Sequence, residues 1–339
     1  MPPTVLGLDI GGANLKAATA DKRAVSVPFP LWKQPDKLPA ALASLFAQFP
    51  DAEEFAVTMT GELCDCYRTK RDGVNDILTS VLKASRCYPV RVWSTAGKFL
   101  TTEEARQDHL GVAAANWHAL ATFAGAYVPR GTALLVDIGS TTADLIPILD
   151  GEPWAVGTTD VDRMKSSELV YTGVRRTPVC SLLSAGRVAA EFFAGTLDAY
   201  LLLGHIPEDP ADTDTADGRP ATKVDAHARM SRLLCGDPEL ISAQQTLSIA
   251  ELVYDIQRDL LRAPVEALLN RVKRLQHESL GTDRVAITSG SGEFLARQML
   301  DKYSREFTDF ISLTDRLGPA LATCAPAYAL AVLATERRP

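Results

Sequence analysis

The chain has 339 residues, 46% hydrophobic and 23% charged, with a formal net charge of −7. That length holds enough apolar material for two core-bearing units, in the proportions of an ordinary globular protein. The negative balance argues against a broad nucleic-acid surface, which needs clustered Lys and Arg, yet leaves room for a local anion site.

The opening MPPTVLGLDIGG lacks the basic start of a signal peptide, and its apolar run breaks at Asp9. No apolar run approaches the roughly 20 residues of a membrane helix. A soluble, cytoplasmic protein with no membrane or nucleic-acid partner is expected. The cysteines at 64, 66, 87, 180, 235 and 324 are scattered, as suits reduced thiols. Neither they nor the five histidines take zinc-site spacing.

Period-2 and period-3.6 patterns set out the elements. A Val/Leu-rich strand over 4–9 turns at Gly11-Gly12, and a hairpin around Asp21-Lys22-Arg23 follows. A helix at 37–48, a strand ending on Thr60-Gly61, a helix at 72–84 and a strand at 90–94 come next. An Ala-rich helix over 111–127 then suits close packing on a sheet. After Pro129-Arg130-Gly131 the opening pattern restarts: strand 132–137, a Gly-Ser-Thr-Thr turn, and strand 143–149. Helices near 184–203, 223–235, 246–275 and 292–302, a strand at 284–288 and a helix at 319–335 complete the chain. The repeat predicts an α/β protein of two related lobes, 1–128 and 129–339, with a cleft between them and the last helix packing back on the first lobe. The Pro/Asp/Thr-rich stretch 205–222 reads as a solvated loop or a lid. It is no EF-hand, because Gly218 is seventh from Asp212 and Lys223 stands where the bidentate glutamate belongs. Trp93, Trp117 and Trp154 read as packing residues.

Three glycine turns carry the chemistry. The first holds Asp9, Gly11, Gly12, Asn14 and Lys16; the second, Asp137, Gly139, Ser140, Thr141, Thr142 and Asp144; the third, Gly290, Ser291 and Gly292 before a helix. Glycines let successive N–H groups converge on an anion, and a helix N-terminus adds its dipole. Asp9 and Asp137 then suit Mg²⁺, which keeps its waters and takes one or two carboxylates. Asp144 lies inside an apolar strand, where an unpaired carboxylate is costly, and joins them as a candidate ligand. No Walker or dinucleotide fingerprint occurs at a suitable turn.

Two Asp-Ile-Gly turns and a Gly-x-Gly strand-to-helix turn together resemble the actin/Hsp70/sugar-kinase superfamily. That resemblance implies a two-lobed, ribonuclease H-like fold with an inter-lobe cleft. The strings VTMTGELCDCYRTKRDGV (57–74), AAANWHALA (113–121), SSELVYTGVRRTPVC (166–180) and TADGRPAT (215–222) resemble the hydantoinase A/oxoprolinase-related proteins of tetrahydromethanopterin-linked C1 metabolism. Archaeal members of that group are methanofuran-biosynthesis synthases, and C1-oxidising bacteria make a related furan cofactor. The resemblance implies a transferase joining an aminomethylfuran diphosphate to the phenol of a (glutamyl-)tyramine or tyrosine, with release of diphosphate. For that chemistry the cation pairs Lys70 and Arg71, or Arg175 and Arg176, are the candidates to hold the diphosphate, and Glu62 is a candidate base for the phenol proton. An ATP-dependent kinase or hydantoinase/oxoprolinase-like hydrolase on the same fold is the alternative, and a nucleotide-gated scaffold a third reading. ATP binding, oligomeric state and the exact acceptor stay open.

Overall fold

The computed structural model describes residues 3–183 and 188–337. In the first half, β1 (Thr4–Ile10), β2 (Asn14–Thr19) and β3 (Ala24–Pro28) form a meander. β4 (Ala52–Met59) pairs parallel with β1, followed by β5 (Val90–Trp93) and β6 (Phe99–Leu100). The sheet order is β3-β2-β1-β4-β5-β6. The second half repeats the plan with β7 (Thr132–Ile138), β8 (Ala143–Leu149), β9 (Glu152–Pro153), β10 (Leu169–Val170), β11 (Arg284–Ser289) and β12 (Asp309–Ser312). Its order is β10-β8-β7-β11-β12, with β9 on β8. β7 is antiparallel to β8 and parallel to β11, as β1 is to β2 and β4.

β1 and β7 are buried almost throughout because helices cover both faces, which is why they read as continuous apolar runs rather than alternating ones. On the outer face of the first sheet lie helices Leu38–Phe46 and Lys70–Ala84, contributing Leu42, Leu45, Ile77 and Val81. On the outer face of the second lies the long helix Ala243–Leu275, contributing Leu261, Val265, Leu268 and Val272.

Helices Asn116–Gly125 and Ala325–Glu336 lie between the sheets. Ala119, Leu330 and Leu333 pack with Val5 and Ala56 of the first sheet, while Leu120, Ala124 and Ala327 pack with Leu135 and Ile146 of the second. Small residues make this possible. A Cβ on Gly7 would fall 1.9 Å from the Ala327 carbonyl oxygen, so the C-terminal helix approaches β1 at backbone distance.

Several expected elements are shorter or divided. The 111–127 helix becomes His109–Val112 and Asn116–Gly125, because Ala114 takes a positive φ of 50°. The last helix breaks at Cys324 into Pro319–Thr323 and Ala325–Glu336. The helix expected from 184 begins at Thr196; residues 184–187 lie outside the described residues. Trp93 and Trp117 are buried, but Trp154 is exposed. Among the described residues, no helix is long and apolar enough to cross a membrane.

Candidate active site in the inter-lobe cleft

Each lobe ends its first strand on an aspartate and turns at once. In the first turn Gly11 N–H donates to the Asn14 carbonyl at 3.0 Å, and the Gly12 carbonyl accepts from Leu31 at 2.9 Å. A Cβ on Gly12 would meet Cys64 Sγ at 2.7 Å, so this turn rests on the Gly61–Cys64 segment. In the second, Gly139 N–H donates to the Thr142 carbonyl at 2.8 Å. The Ser140 carbonyl accepts from both Arg175 and Arg176, at 3.1 and 2.9 Å.

The 171–178 string is therefore the buttress of the second turn. A Cβ on Gly173 would fall 2.4 Å from Ser140 C and Thr141 N, so only glycine lets the two backbones meet. Behind it, buried Gln257 donates to the Thr172 hydroxyl and the Gly173 carbonyl at 2.8 and 2.7 Å. The Ser140, Thr141 and Thr142 side chains are only partly buried and make no hydrogen bond among the described residues.

Asp9 is buried, and its Oδ1 has no hydrogen-bond partner. Burial raises its pKa against the pull of Lys16, which faces it across the β1–β2 ladder. Asp137 keeps a partly exposed side chain at the strand end. The protein around it nonetheless strips enough water from its carboxyl to push the pKa up to about 7, with help from Asp144 directly across the ladder. Lys16 and Asp9 also act on Asp137 through space, so the two strand ends face a common cleft.

Asp144 is already paired. Its Oδ1 accepts from buried Arg163 Nη2 at 2.6 Å, and that guanidinium lies 4.1 Å above the Trp117 ring. Burial still raises its pKa, with Arg163 opposing. Arg163 is the residue that sequence reasoning missed. A lone arginine in a short helix gives no sign of a buried carboxylate 19 positions earlier.

The cation pairs divide. Lys70 Nζ lies 3.4 Å from Glu62 Oε1 and 2.8 Å from Asp160 Oδ2, bridging the lobes. Arg71, one residue on, is exposed and has no ion pair among the described residues. Arg175 is held by Asp212 at 2.6 Å and by Asp214, tethering the 205–222 loop. Arg176 has no ion pair among the described residues. Its charge acts on Cys64 against the burial that pushes that thiol up to about 11, which locates it opposite the first turn.

Glu62 is 1% exposed, with Oε2 unpartnered, and burial raises its pKa while Lys70 pulls it back. A Cβ on Gly73 would fall 2.0 Å from the Glu62 carbonyl oxygen, so the helix bearing Lys70 is seated directly on Glu62.

The third turn packs on the second strand end. Gly292 N–H donates to the Ile138 carbonyl at 2.8 Å, and Glu293 N–H to the Gly290 carbonyl at 3.1 Å. Two donors at that helix start are thus engaged. The first helical residue is itself a carboxylate, which disfavours an anion there.

Among the described residues no three His, Cys, Asp or Glu side chains converge as a metal cage. The Asp9 and Asp137 carboxylates, one with an orphaned buried oxygen, fit the smaller demand of Mg²⁺, which keeps waters and shares phosphate oxygens.

Two sheets of matching plan, each ending its first strand on an aspartate at a shared cleft, define a two-lobed α/β protein. The nucleotide-free structure of acetone carboxylase superposes with a TM-score of 0.53 at 12% identity, covering 96% of this chain and 70% of that one. The sequence profile of the hydantoinase/oxoprolinase family matches residues 53–337, and the chain belongs to that family. It is 36% identical over 340 residues to the (4-{4-[2-(gamma-L-glutamylamino)ethyl]phenoxymethyl}furan-2-yl)methanamine synthase of Methanocaldococcus jannaschii, with 97% of both chains covered. The synthase of the same name from Methanococcus vannielii is 36% identical over 209 residues, 59% of this chain and 89% of that one.

Proposed function

We propose that this chain is an ether synthase of furan-cofactor biosynthesis. It transfers an (aminomethyl)furanylmethyl group from its diphosphate to the phenol oxygen of a γ-glutamyl-tyramine or a related tyrosine-derived acceptor. The observation that carries the reading is the full-length 36% identity to a synthase whose product is a phenoxymethyl furan. The cleft supports it with uncommitted cations and unpartnered carboxylate oxygens.

The bond between the exocyclic methylene carbon and the diphosphate oxygen breaks, and its electron pair leaves with diphosphate. The furan ring delocalises the positive charge left on that carbon. The phenol oxygen supplies the pair that forms the ether bond, and its proton passes to a carboxylate. Lys16 and Arg176, free of ion pairs among the described residues, neutralise the leaving group together with the N–H groups of the two turns. Arg175 and Lys70 act a step back, one holding the loop and the other holding Glu62. Glu62, with Oε2 open and a raised pKa, takes the phenol proton. Asp9 and Asp137 would hold Mg²⁺, which when bound supplies charge neutralisation at the diphosphate oxygens. Exposed Leu63 and Val161, beside the two ends of the Lys70 bridge, offer apolar surface to the aromatic groups. Both substrates are small and soluble, in keeping with a cytoplasmic setting.

The test is diphosphate release from the aminomethylfuran diphosphate with γ-glutamyl-tyramine, with and without Mg²⁺, and with ATP in a parallel reaction. Mg²⁺-dependent release matched by ether product, without ATP, is expected. ATP consumption with no ether would replace this reading with the kinase-like one.

A further inference from the structure

Beside the third glycine turn lies a cavity of about 590 Å³ that the proposed reaction leaves unassigned. Its size is in the range of small-molecule sites. Gly290, Ser291, Glu293, Phe294 and Arg297 line one side, and Thr314 and Asp315 another. It adjoins the reacting centre: Gly290 is part of its wall, and a Cβ there would fall 2.6 Å from Asp137 Oδ1.

Glu293 is 7% exposed and lines this cavity. Its Oε1 accepts from the Thr288 hydroxyl at 2.8 Å and from Arg297 Nε at 3.0 Å, which fixes the carboxylate. Its Oε2 is buried and has no hydrogen-bond partner. A buried carboxylate oxygen left open is costly unless a donor meets it. Arg297 completes the complement. Its Nη2 is held by Asp315 at 2.6 Å, while Nη1 makes no hydrogen bond among the described residues. One open carboxylate oxygen and one open guanidinium nitrogen, fixed by the same ion-pair chain, match a group carrying both an ammonium and a carboxylate.

We propose that this cavity binds the α-amino-acid end of the acceptor. The α-ammonium meets Glu293 Oε2, and the α-carboxylate meets Arg297 Nη1, a turn further along the helix. The inference rests on the ether-synthase reading for the acceptor's identity. It makes the glutamyl group the handle by which the enzyme selects its phenol. A furan bearing only an ammonium satisfies half of the site, and a neutral nucleoside offers no partner to Arg297.

Isothermal titration of γ-glutamyl-tyramine and of tyramine, without the diphosphate substrate, tests this. The wild-type chain should bind the glutamyl compound about tenfold or more tightly, the worth of one charge-assisted hydrogen bond. Arg297→Met, at a half-exposed position, and Glu293→Gln should each bring the ratio to about threefold or less and leave tyramine binding unchanged. Arg297→Lys should recover part of it. Circular dichroism of each variant identifies any that fail to fold, and Arg297→Met decides if Glu293→Gln does. Equal affinity for the two amines, a preference untouched by Arg297→Met, or adenosine bound in place of the glutamyl compound with the same sensitivity would overturn it. Binding is read without turnover. Glutamyl preference without ether product would break the reaction and keep the pocket, and ether formation with equal use of both amines would do the reverse.

Discussion

The two strand–turn–strand units place the same Asp-Ile-Gly at the same sheet position, yet opposite charges face the aspartate across the ladder. Asp9 looks at Lys16, and Asp137 looks at Asp144. The first hairpin thus brings its own counter-charge, while the second compounds its burden. Arg163 answers Asp144 from outside the hairpin, but Asp137 remains raised to about 7. Near neutral pH, the ionisation of Asp137 therefore depends on what enters the cleft. A divalent cation or an incoming cationic group would complete it, whereas Asp9 already has Lys16 nearby.

The largest test of that asymmetry is turnover. Asp137→Asn and Asp9→Asn should each lower diphosphate release by about 100- to 1,000-fold, the scale of losing a preorganised electrostatic group. A steeper rise in the Mg²⁺ requirement for Asp137→Asn than for Asp9→Asn would sharpen the contrast; equal shifts would erase it. Stability should move the other way for the second aspartate. A carboxyl with a raised folded-state pKa favours folding while protonated, and this contribution is lost as pH rises from the unfolded value through about 7. Asp137→Asn should therefore stabilise the metal-free protein above pH 7, by at most about 4 kcal/mol, and have no effect below about pH 4. Thermal melts across that range measure it, and saturating Mg²⁺ should shrink the gain.

The buttresses differ as well. Gly173→Ala drives a methyl into the second turn at 2.4 Å and should cost about 1–3 kcal/mol in chemical denaturation, together with turnover. Next come the arginines. Arg176→Ala should raise KM for the diphosphate substrate about tenfold with unchanged melting temperature. Arg175→Ala should chiefly raise proteolysis in the 205–222 loop. Smallest is Arg71→Ala, exposed and without an ion pair among the described residues, which should change kinetics less than about twofold. A larger loss there would return Arg71 to the anion site.

What the chain discloses by itself follows from locality. The repeated strand–Asp–Gly–strand pattern is contiguous and carries the two-sheet plan, so the lobes and both turns were legible. Pairings between distant segments were not. Nothing local at Arg175 points to Asp212, and nothing at Asp144 points to Arg163 above Trp117. The Arg-Arg and Lys-Arg doublets read as units, but in the structure each splits into one neutralised and one uncommitted member, a distinction only tertiary geometry makes. Ala114 and Cys324 broke two alanine-rich helices that periodicity carries straight through. Glu293, unremarkable at a helix start, gains meaning only from the cavity it faces.

The two helices between the sheets have a mechanical consequence. Because Asn116–Gly125 and Ala325–Glu336 each bury side chains against both sheets, neither lobe owns a complete core. The halves should melt in one calorimetric transition, with van't Hoff and calorimetric enthalpies in agreement. Cleft motion would then be a small sliding of sheets over a shared helical layer, not the swing of two independent bodies on a strap.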